Sequence, residues 1–239
     1  HKVILVREAD KFGSFWVEPR DLDGNLGLEY SYHLMRNEII RSKRFLDILV
    51  SLILLILLGP LLALLAALIA IESPGSPFFY QERLGQNQRR FRVLKFRTMF
   101  TNAEQQLEKF LKENAEARAE YGKFHKLRHD PRVSRMGKLL RVFSVDEFPQ
   151  LVNVLRGEMS LVGPRAYLLS ELKDMGDYAS VILRVKPGIT GWWQVMGRHQ
   201  ISFHQRLQMD EYYISNWSLW MDIYILMKTV WVVLTAGGA

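Results

Sequence analysis

From Ile48 to Ile71 the only polar side chain is Ser51. These 24 residues make a helix about 36 Å long, against a bilayer hydrocarbon core of about 30 Å, so the run must meet lipid. Its N-terminal flank, Arg41-Ser42-Lys43-Arg44, is basic and reads as cytoplasmic, because Lys and Arg collect on that side of a membrane segment. Asp47 lies one turn in from this flank, within reach of Lys43 or Arg44. Gly59-Pro60 interrupts the middle of the run. Proline removes one backbone hydrogen bond and clashes with the preceding turn, so it kinks a helix. Two readings follow: a helix-break-helix that enters one leaflet and returns, or an ordinary kinked transmembrane helix. All the candidate chemistry lies after Ile71, and basic residues stand on both sides of the run. A spanning helix would put flank and chemistry in different compartments, so a re-entrant helix broken at Pro60 is the expectation.

The chain opens on His1-Lys2-Val3-Ile4-Leu5-Val6, a strand-like run with neither initiator Met nor signal peptide. Residues 1–40 are therefore expected to be the tail of an upstream domain with a linker or hairpin. Residues 41–77 would form the membrane segment, closed by the turn cluster Glu72-Ser-Pro-Gly-Ser-Pro77. Residues 78–239 would form a cytoplasmic catalytic domain on the membrane surface. The expected class is α+β and mostly helical: a monotopic protein with a small sheet and interfacial amphipathic helices.

Within the last region, Arg89 to Arg97 alternates basic and apolar residues, which predicts a strand with one cationic face. Thr101-x-x-Glu104 has the form of a capping box opening a helix to about Tyr121. His125 and His129 share a helical spacing but lack a third zinc ligand nearby. A short helix is predicted over 148–155, a strand and turn over Met159–Arg165, and a helix from a Ser202 cap to about Ser215. Residues 217–235 carry Trp217, Trp220 and Trp231, with Asp222 and Lys228 inside. That pattern makes a poor span and fits either a helix in the membrane interface or a buried core helix. The net charge of +7 suits anionic partners: nucleic acid, anionic lipid or phosphorylated substrates. There is no cysteine, which excludes disulfides and cysteine-bound zinc.

The most informative stretch is Arg141-Val-Phe-Ser-Val-Asp146-Glu147-Phe-Pro149-Gln150. If Asp146 caps a helix, Pro149 falls at its third position, where no intrahelical donor is lost. Asp146 is then either a good N-cap and nothing more, or a carboxylate with a low pKa that can attack phosphorus or bind magnesium. Glu147 could help hold the metal, and Arg141 could neutralise a phosphate under attack.

The motifs, in order, are Lys43-Arg44-x-x-Asp47, Pro60, Lys95-Phe-Arg97-Thr-Met99, Arg141 with Asp146-Glu147-x-Pro149-Gln150, Met159-Ser-Leu-Val-Gly-Pro-Arg165 and Lys186-Pro-Gly-Ile-Thr-Gly-Trp192. On these motifs residues 43–239 resemble the bacterial sugar transferase family, the monotopic phosphoglycosyl transferases. The resemblance implies a re-entrant helix broken at proline, with both ends in the cytoplasm, at the bacterial inner membrane. It implies transfer of a sugar 1-phosphate from a UDP-sugar to a polyprenyl phosphate, usually undecaprenyl phosphate, with release of UMP, as a start of surface polysaccharide assembly. By the same resemblance Asp146 is the nucleophile of a covalent intermediate, magnesium is required, and the long subgroup with preceding domains is indicated. Arg141, Arg165, Lys95, Arg97 and Arg198 are the candidate phosphate clamps, and Asp146 with Glu147 the candidate metal ligands. Gly-Pro-Arg-Ala166-Tyr167 departs from the commoner Gly-Pro-Arg-Pro, and Trp193 and Met196 stand where many members carry smaller or polar residues. Galactose-transferring members share the Ala-Tyr variant, so UDP-galactose is the expected donor. Expected partners are the UDP-sugar, undecaprenyl phosphate, inner-membrane lipid and a second copy in a homodimer, with no nucleic acid. Two other classes stay open on the residues: a membrane-anchored scaffold of polysaccharide assembly with a decayed site, and a nucleic-acid binder using the basic strand.

Overall fold

A computed structural model describes residues 16–22, 25–31, 34, 37–124, 127, 130–197 and 201–235. The chain begins with an antiparallel hairpin, β1 (Trp16–Leu22) and β2 (Asn25–Ser31), followed by one long helix, α1 (Asn37–Glu72). A second antiparallel hairpin follows, β3 (Phe78–Leu84) and β4 (Arg90–Phe96), then α2 (Ala103–Glu113), α3 (Ala115–Phe124) and α4 (Arg135–Val142). After α5 (Gln150–Arg156) come β5 (Ser160–Val162), α6 (Ala179–Ile182) and β6 (Gly188–Thr190). The chain closes with α7 (Trp192–Met196), α8 (Phe203–Ser215) and α9 (Leu219–Thr235). The fold is α+β and mostly helical, and its strands form three separate two-stranded sheets among the described residues.

The apolar run does what its composition demands. It lies within α1, which is long and apolar enough to cross a membrane, and only 11% of its most apolar window is buried. That exposure distinguishes it from a core helix. Ile56, Leu57 and Leu64 lie open on its surface, so this face requires lipid. Pro60 sits inside the helix and leaves the Ile56 carbonyl without its usual donor. Both ends of α1 are fastened to the same globular body. At the start, Arg44 donates to the carbonyls of Val154 and Leu155 at 2.5 and 2.9 Å, capping the end of α5. Lys43 pairs with buried Asp222 of α9 at 2.5 Å, and the Leu161 amide donates to Asp47 at 3.0 Å. At the far end, the Glu72 carboxylate accepts the amides of Arg135 and Met136 at 2.8 and 3.1 Å. A carboxylate there satisfies free donors at the start of α4 and meets its positive dipole end.

The core gathers around Leu151, Val154, Met159, Tyr167, Leu207 and Ile225, between α5, β5, α8 and α9. Two glycine-bearing motifs meet inside it. β5 and β6 pair in parallel, and a Cβ on Gly188 would lie 2.1 Å from the Gly163 nitrogen, so only glycine allows the approach. α9 has two sides. Ile225 and Asp222 are buried, whereas Trp220, Met227 and Trp231 are more than half exposed.

Several local expectations are corrected. The helix expected from Thr101 to Tyr121 starts at Ala103 with Asn102 as N-cap, whose side chain accepts from Gln106 Nε2 at 2.8 Å and not from a helix amide, and it breaks at Asn114 into α2 and α3. The cations of β4 do not share one face. Its register with β3 runs unbroken, so Arg90 and Arg92 point one way and Lys95 the other, beside Phe91 and Val93. The cap predicted at Ser202 forms, with the Gln205 amide donating to its hydroxyl at 3.2 Å. His125 and His129 lie outside the described residues.

Candidate active site

The acidic pair does not cap a helix. Asp146 and Glu147 lie in a single 3-10 turn, Val145–Glu147, and α5 begins only at Gln150, after Pro149. Proline's missing amide is harmless just ahead of the first helical turn, which is why the helix starts there and not at Asp146. Ser144, two residues before Asp146, holds φ at +53°, a left-handed conformation that non-glycine residues rarely adopt. Such strain persists only where the surroundings impose it.

Three elements frame the turn. α5 is docked on β4 by Asn153, whose side chain accepts from the Leu94 amide at 3.0 Å and donates to the Arg92 carbonyl at 2.8 Å. That anchor sets Lys95, the next residue, against the turn, and its ammonium lies 2.5 Å from Glu147 Oε1. From the other side comes α4. Its Gly137 passes so close to the end of β4 that a Cβ would lie 2.0 Å from the Thr98 carbonyl oxygen. This approach lets Arg141 donate Nε and Nη2 to the Thr98 hydroxyl at 3.0 and 2.8 Å. Arg141 and Lys95 then both act on Asp146 as positive charges.

These cations do not fully compensate the pair. Burial first, and the neighbouring Glu147 second, push the Asp146 carboxyl up to about 6, against the pull of Lys95 and Arg141. The low pKa expected for a helix cap is thus corrected. The donors of a helix N-terminus are absent, and a like charge adjoins.

A second group of cations lies beyond Glu147. Arg83 of β3 feels the charges of Arg165, Glu171 and Glu147, and burial and Arg165 lower its pKa. Arg206 of α8 is likewise lowered by burial and by Arg165. Arg165 itself pairs with Glu171 at 3.3 Å. Arg83 donates to the Ala166 carbonyl at 3.0 Å, and the Arg206 guanidinium stacks 4.4 Å over the Trp193 ring. Asp210 organises this corner, accepting from the Arg165 amide at 3.0 Å and the Tyr167 hydroxyl at 2.7 Å.

Of the residues singled out in the sequence, Asp146, Glu147, Lys95 and Arg141 come together, and Arg165 stands in the adjoining arginine group. Arg97 does not join them: it donates to the carbonyls of Ser73 and Pro74 and braces the turn after α1. Arg198 lies outside the described residues. Sequence reasoning missed Arg83 and Arg206. Their only local signals were a cation inside a strand and an Arg–Asp spacing of four on one helix, which is ordinarily a surface pair. Tyr167 is fully buried and bonds Asp210, so the Ala166-Tyr167 variant builds the wall behind the arginines rather than facing solvent.

The described residues contain no cluster of three or more His, Cys, Asp or Glu that could hold a metal ion by themselves. The two adjacent carboxylates of Asp146 and Glu147 are oxygen donors of the kind that magnesium takes. That ion keeps several waters and takes one or two carboxylates together with substrate phosphates.

The family described as Bacterial sugar transferase matches residues 37–236. A UDP-galactose-lipid carrier transferase of Erwinia amylovora is 42% identical over 89% of this chain and 44% of its own length. An undecaprenyl-phosphate galactose phosphotransferase of Salmonella typhimurium is 42% identical over 83% of this chain and 42% of its own. The exopolysaccharide production protein ExoY of Sinorhizobium fredii is 42% identical over 83% of this chain and 88% of its own. The chain thus spans less than half of the first two relatives and most of the third. With the acidic turn, its flanking cations and the exposed apolar helix on one body, the chain belongs to the bacterial sugar transferase family.

Proposed function

We propose that the protein transfers a sugar 1-phosphate from a UDP-sugar to undecaprenyl phosphate in two displacements at Asp146. The observation that carries this reading is the seating of Asp146: a half-buried carboxylate beside Lys95 and Arg141, on a body fastened to an apolar helix. In the first displacement a carboxylate oxygen of Asp146 attacks the sugar-bearing phosphorus. The bond from that phosphorus to the bridging oxygen breaks, and UMP leaves with the electron pair. In the second, an oxygen of the lipid phosphate attacks the same phosphorus and Asp146 leaves as a carboxylate. Splitting the reaction lets a water-soluble donor and a membrane-bound acceptor use one site in turn.

Arg141 and Lys95 neutralise the phosphate under attack, and Arg83, Arg165 and Arg206 receive the diphosphate. Asp146 and Glu147 would hold magnesium, which supplies charge neutralisation on the diphosphate. Galactose is the proposed sugar, supported by the names of two relatives and by the Ala166-Tyr167 variant. A panel of UDP-sugars scored by UMP release tests it.

Re-entry of α1 is part of the proposal. It is supported by the anchoring of Arg44 and Glu72 to one globular body. On this reading both ends of α1 and the catalytic turn face the cytoplasm, and the exposed side of α9 rests in the interface. The central test is Asp146→Asn. This variant is expected neither to release UMP nor to trap labelled sugar phosphate on the protein, and near-normal turnover would remove Asp146 as nucleophile.

A further inference from the structure

Three segments close into a ring around the outer arginines. The first is the loop from Gly163 to Tyr167, which carries Arg165. The second is α7, which carries Trp193, and the third is α8, which carries Arg206 and Asp210. Each pair of segments is joined directly. Gly191, the residue before α7, comes so near the loop that a Cβ would lie 2.3 Å from the Gly163 carbonyl oxygen. Asp210 ties α8 to the same loop by accepting from the Arg165 amide at 3.0 Å and the Tyr167 hydroxyl at 2.7 Å. The ring closes where the Arg206 guanidinium lies 4.4 Å over the Trp193 ring.

Little else favours a cation at that place. Arg206 stands in the first turn of α8, where the helix dipole opposes positive charge. Burial first, and the charge of Arg165 second, lower its pKa. Its Nε is buried and finds no hydrogen-bond partner among the described residues. Glu171 pairs with Arg165, and Asp210 bonds the loop through Oδ2 while its Oδ1 bonds nothing among the described residues. The π face of Trp193 is then what fixes the guanidinium. A guanidinium laid flat on a ring keeps its in-plane N–H groups for an anion, because the ring face takes none of them.

Position along the site selects the anion. Lys95 and Arg141 act on Asp146, where the sugar-bearing phosphorus is attacked. Arg83 feels Glu147 and Arg165, and Arg206 feels Arg165 and Glu171. The cations thus run outward from the catalytic turn through Arg83 and Arg165 to Arg206. In a nucleoside diphosphate sugar, the phosphate beyond the one under attack is the one that leaves with the nucleoside.

We propose that Trp193 is a positioning residue for the leaving nucleotide, its ring holding Arg206 against the phosphate that departs as UMP. The proposal rests on the transferase reading for the identity of that phosphate. Trp193 acts through Arg206 and not on the phosphorus under attack.

The test compares Trp193→Leu, which keeps an apolar side chain without a π face, with Trp193→Phe, which keeps a π face. The indole Nε1 bonds nothing among the described residues, so Phe loses no hydrogen bond. Wild type and variants are studied as the full chain in nanodiscs of phosphatidylethanolamine and phosphatidylglycerol. Binding of radiolabelled UMP is measured by equilibrium dialysis without acceptor. kcat/KM is measured separately for the UDP-sugar and for undecaprenyl phosphate, because each reports its own displacement. Trp193→Leu is expected to raise the UMP Kd about tenfold and to lower kcat/KM for the UDP-sugar by about as much. kcat/KM for undecaprenyl phosphate should stay within a factor of about two, and Trp193→Phe should bring the donor-side values back to within about threefold of wild type. In an Arg206→Gln background, Trp193→Leu should move the UMP Kd by less than about twofold, since its route is gone. Trp193→Met carries the same expectations if Trp193→Leu does not fold.

An unmoved UMP Kd overturns the proposal, as does a Phe variant no better than Leu or a full further loss in the Arg206→Gln background. An equal fall in both kcat/KM values with a lowered melting temperature would make Trp193 a packing residue. UMP release by a wild type whose UMP binding ignores Trp193 would remove the proposal and leave the transferase reading. Trp193-dependent UMP binding by a wild type that releases no UMP from any UDP-sugar would remove the transferase reading and leave the phosphate contact.

Discussion

The Lys95 ammonium lies 2.5 Å from the Glu147 carboxylate, and the same ammonium pulls on the Asp146 carboxyl next door. One cation thus serves two adjacent anions, and only its position on β4 allows this. Lys95→Met keeps most of the side-chain volume and removes the charge. Loss of a preorganised cation aimed at a phosphoryl group is expected to lower the rate of UMP release about 10²-fold. It also removes one of the two charges that hold the Asp146 carboxyl down, so the acid limb of the pH–rate profile should move to higher pH. A rate within a factor of about two of wild type, with an unmoved limb, would take Lys95 out of the site.

The same geometry explains what could be read from the residues. Membrane contact was legible because 24 residues with one polar side chain leave no other solution. The proximity of Lys95, Arg141 and the acidic pair followed from motif resemblance, not from spacing. No periodicity reveals that Gly137 must touch the Thr98 carbonyl to bring Arg141 in. The helix start was misplaced by three residues because Asp146 looked like a cap, whereas the 3-10 turn closes at Phe148 and Pro149 is the residue that precedes α5. Arg83 and Arg206 were illegible for a related reason: they are 123 residues apart and converge on Arg165 and Glu171. Arg97 showed the opposite error, a cation in a motif that the fold uses to hold the turn after α1.

Asp210 gives a stability prediction with a definite sign. Its carboxyl is fully buried, and burial pushes it from 3.8 up to about 7, against the bonds from Tyr167 and Arg165. A carboxyl whose pKa is higher in the folded state favours folding while protonated. That contribution is complete below about pH 4 and is lost as pH rises through about 7. Asp210→Asn cannot titrate. The wild-type melting temperature minus that of the variant should therefore fall steadily from pH 4 to pH 8. A difference that stays constant over this range would mean that Asp210 titrates normally.

Glu147 is proposed to share magnesium with Asp146, and its contribution can be separated from folding. Glu147→Gln keeps the shape and removes one ligand charge. The magnesium concentration that gives half-maximal UMP release should rise about tenfold or more, with the melting temperature little changed. An unchanged magnesium response would leave Glu147 as the partner of Lys95 and nothing more.

The path of α1 can be decided chemically, because the chain has no cysteine to confuse the result. Ser42 and Pro74 bracket the apolar run, and both are exposed. The two positions are 32 residues apart (74 − 42), about 48 Å along a straight helix, which exceeds the hydrocarbon core of about 30 Å. A straight span would therefore carry them to opposite faces. Against that stands the anchoring: Arg44 reaches α5 at one end, and Glu72 holds the start of α4 at the other. Single variants Ser42→Cys and Pro74→Cys, in sealed inside-out membrane vesicles, should both react with a membrane-impermeant maleimide. In sealed right-side-out vesicles both should be protected until detergent is added. Opposite protection of the two positions would make α1 a spanning helix and would place its flank and the catalytic turn in different compartments.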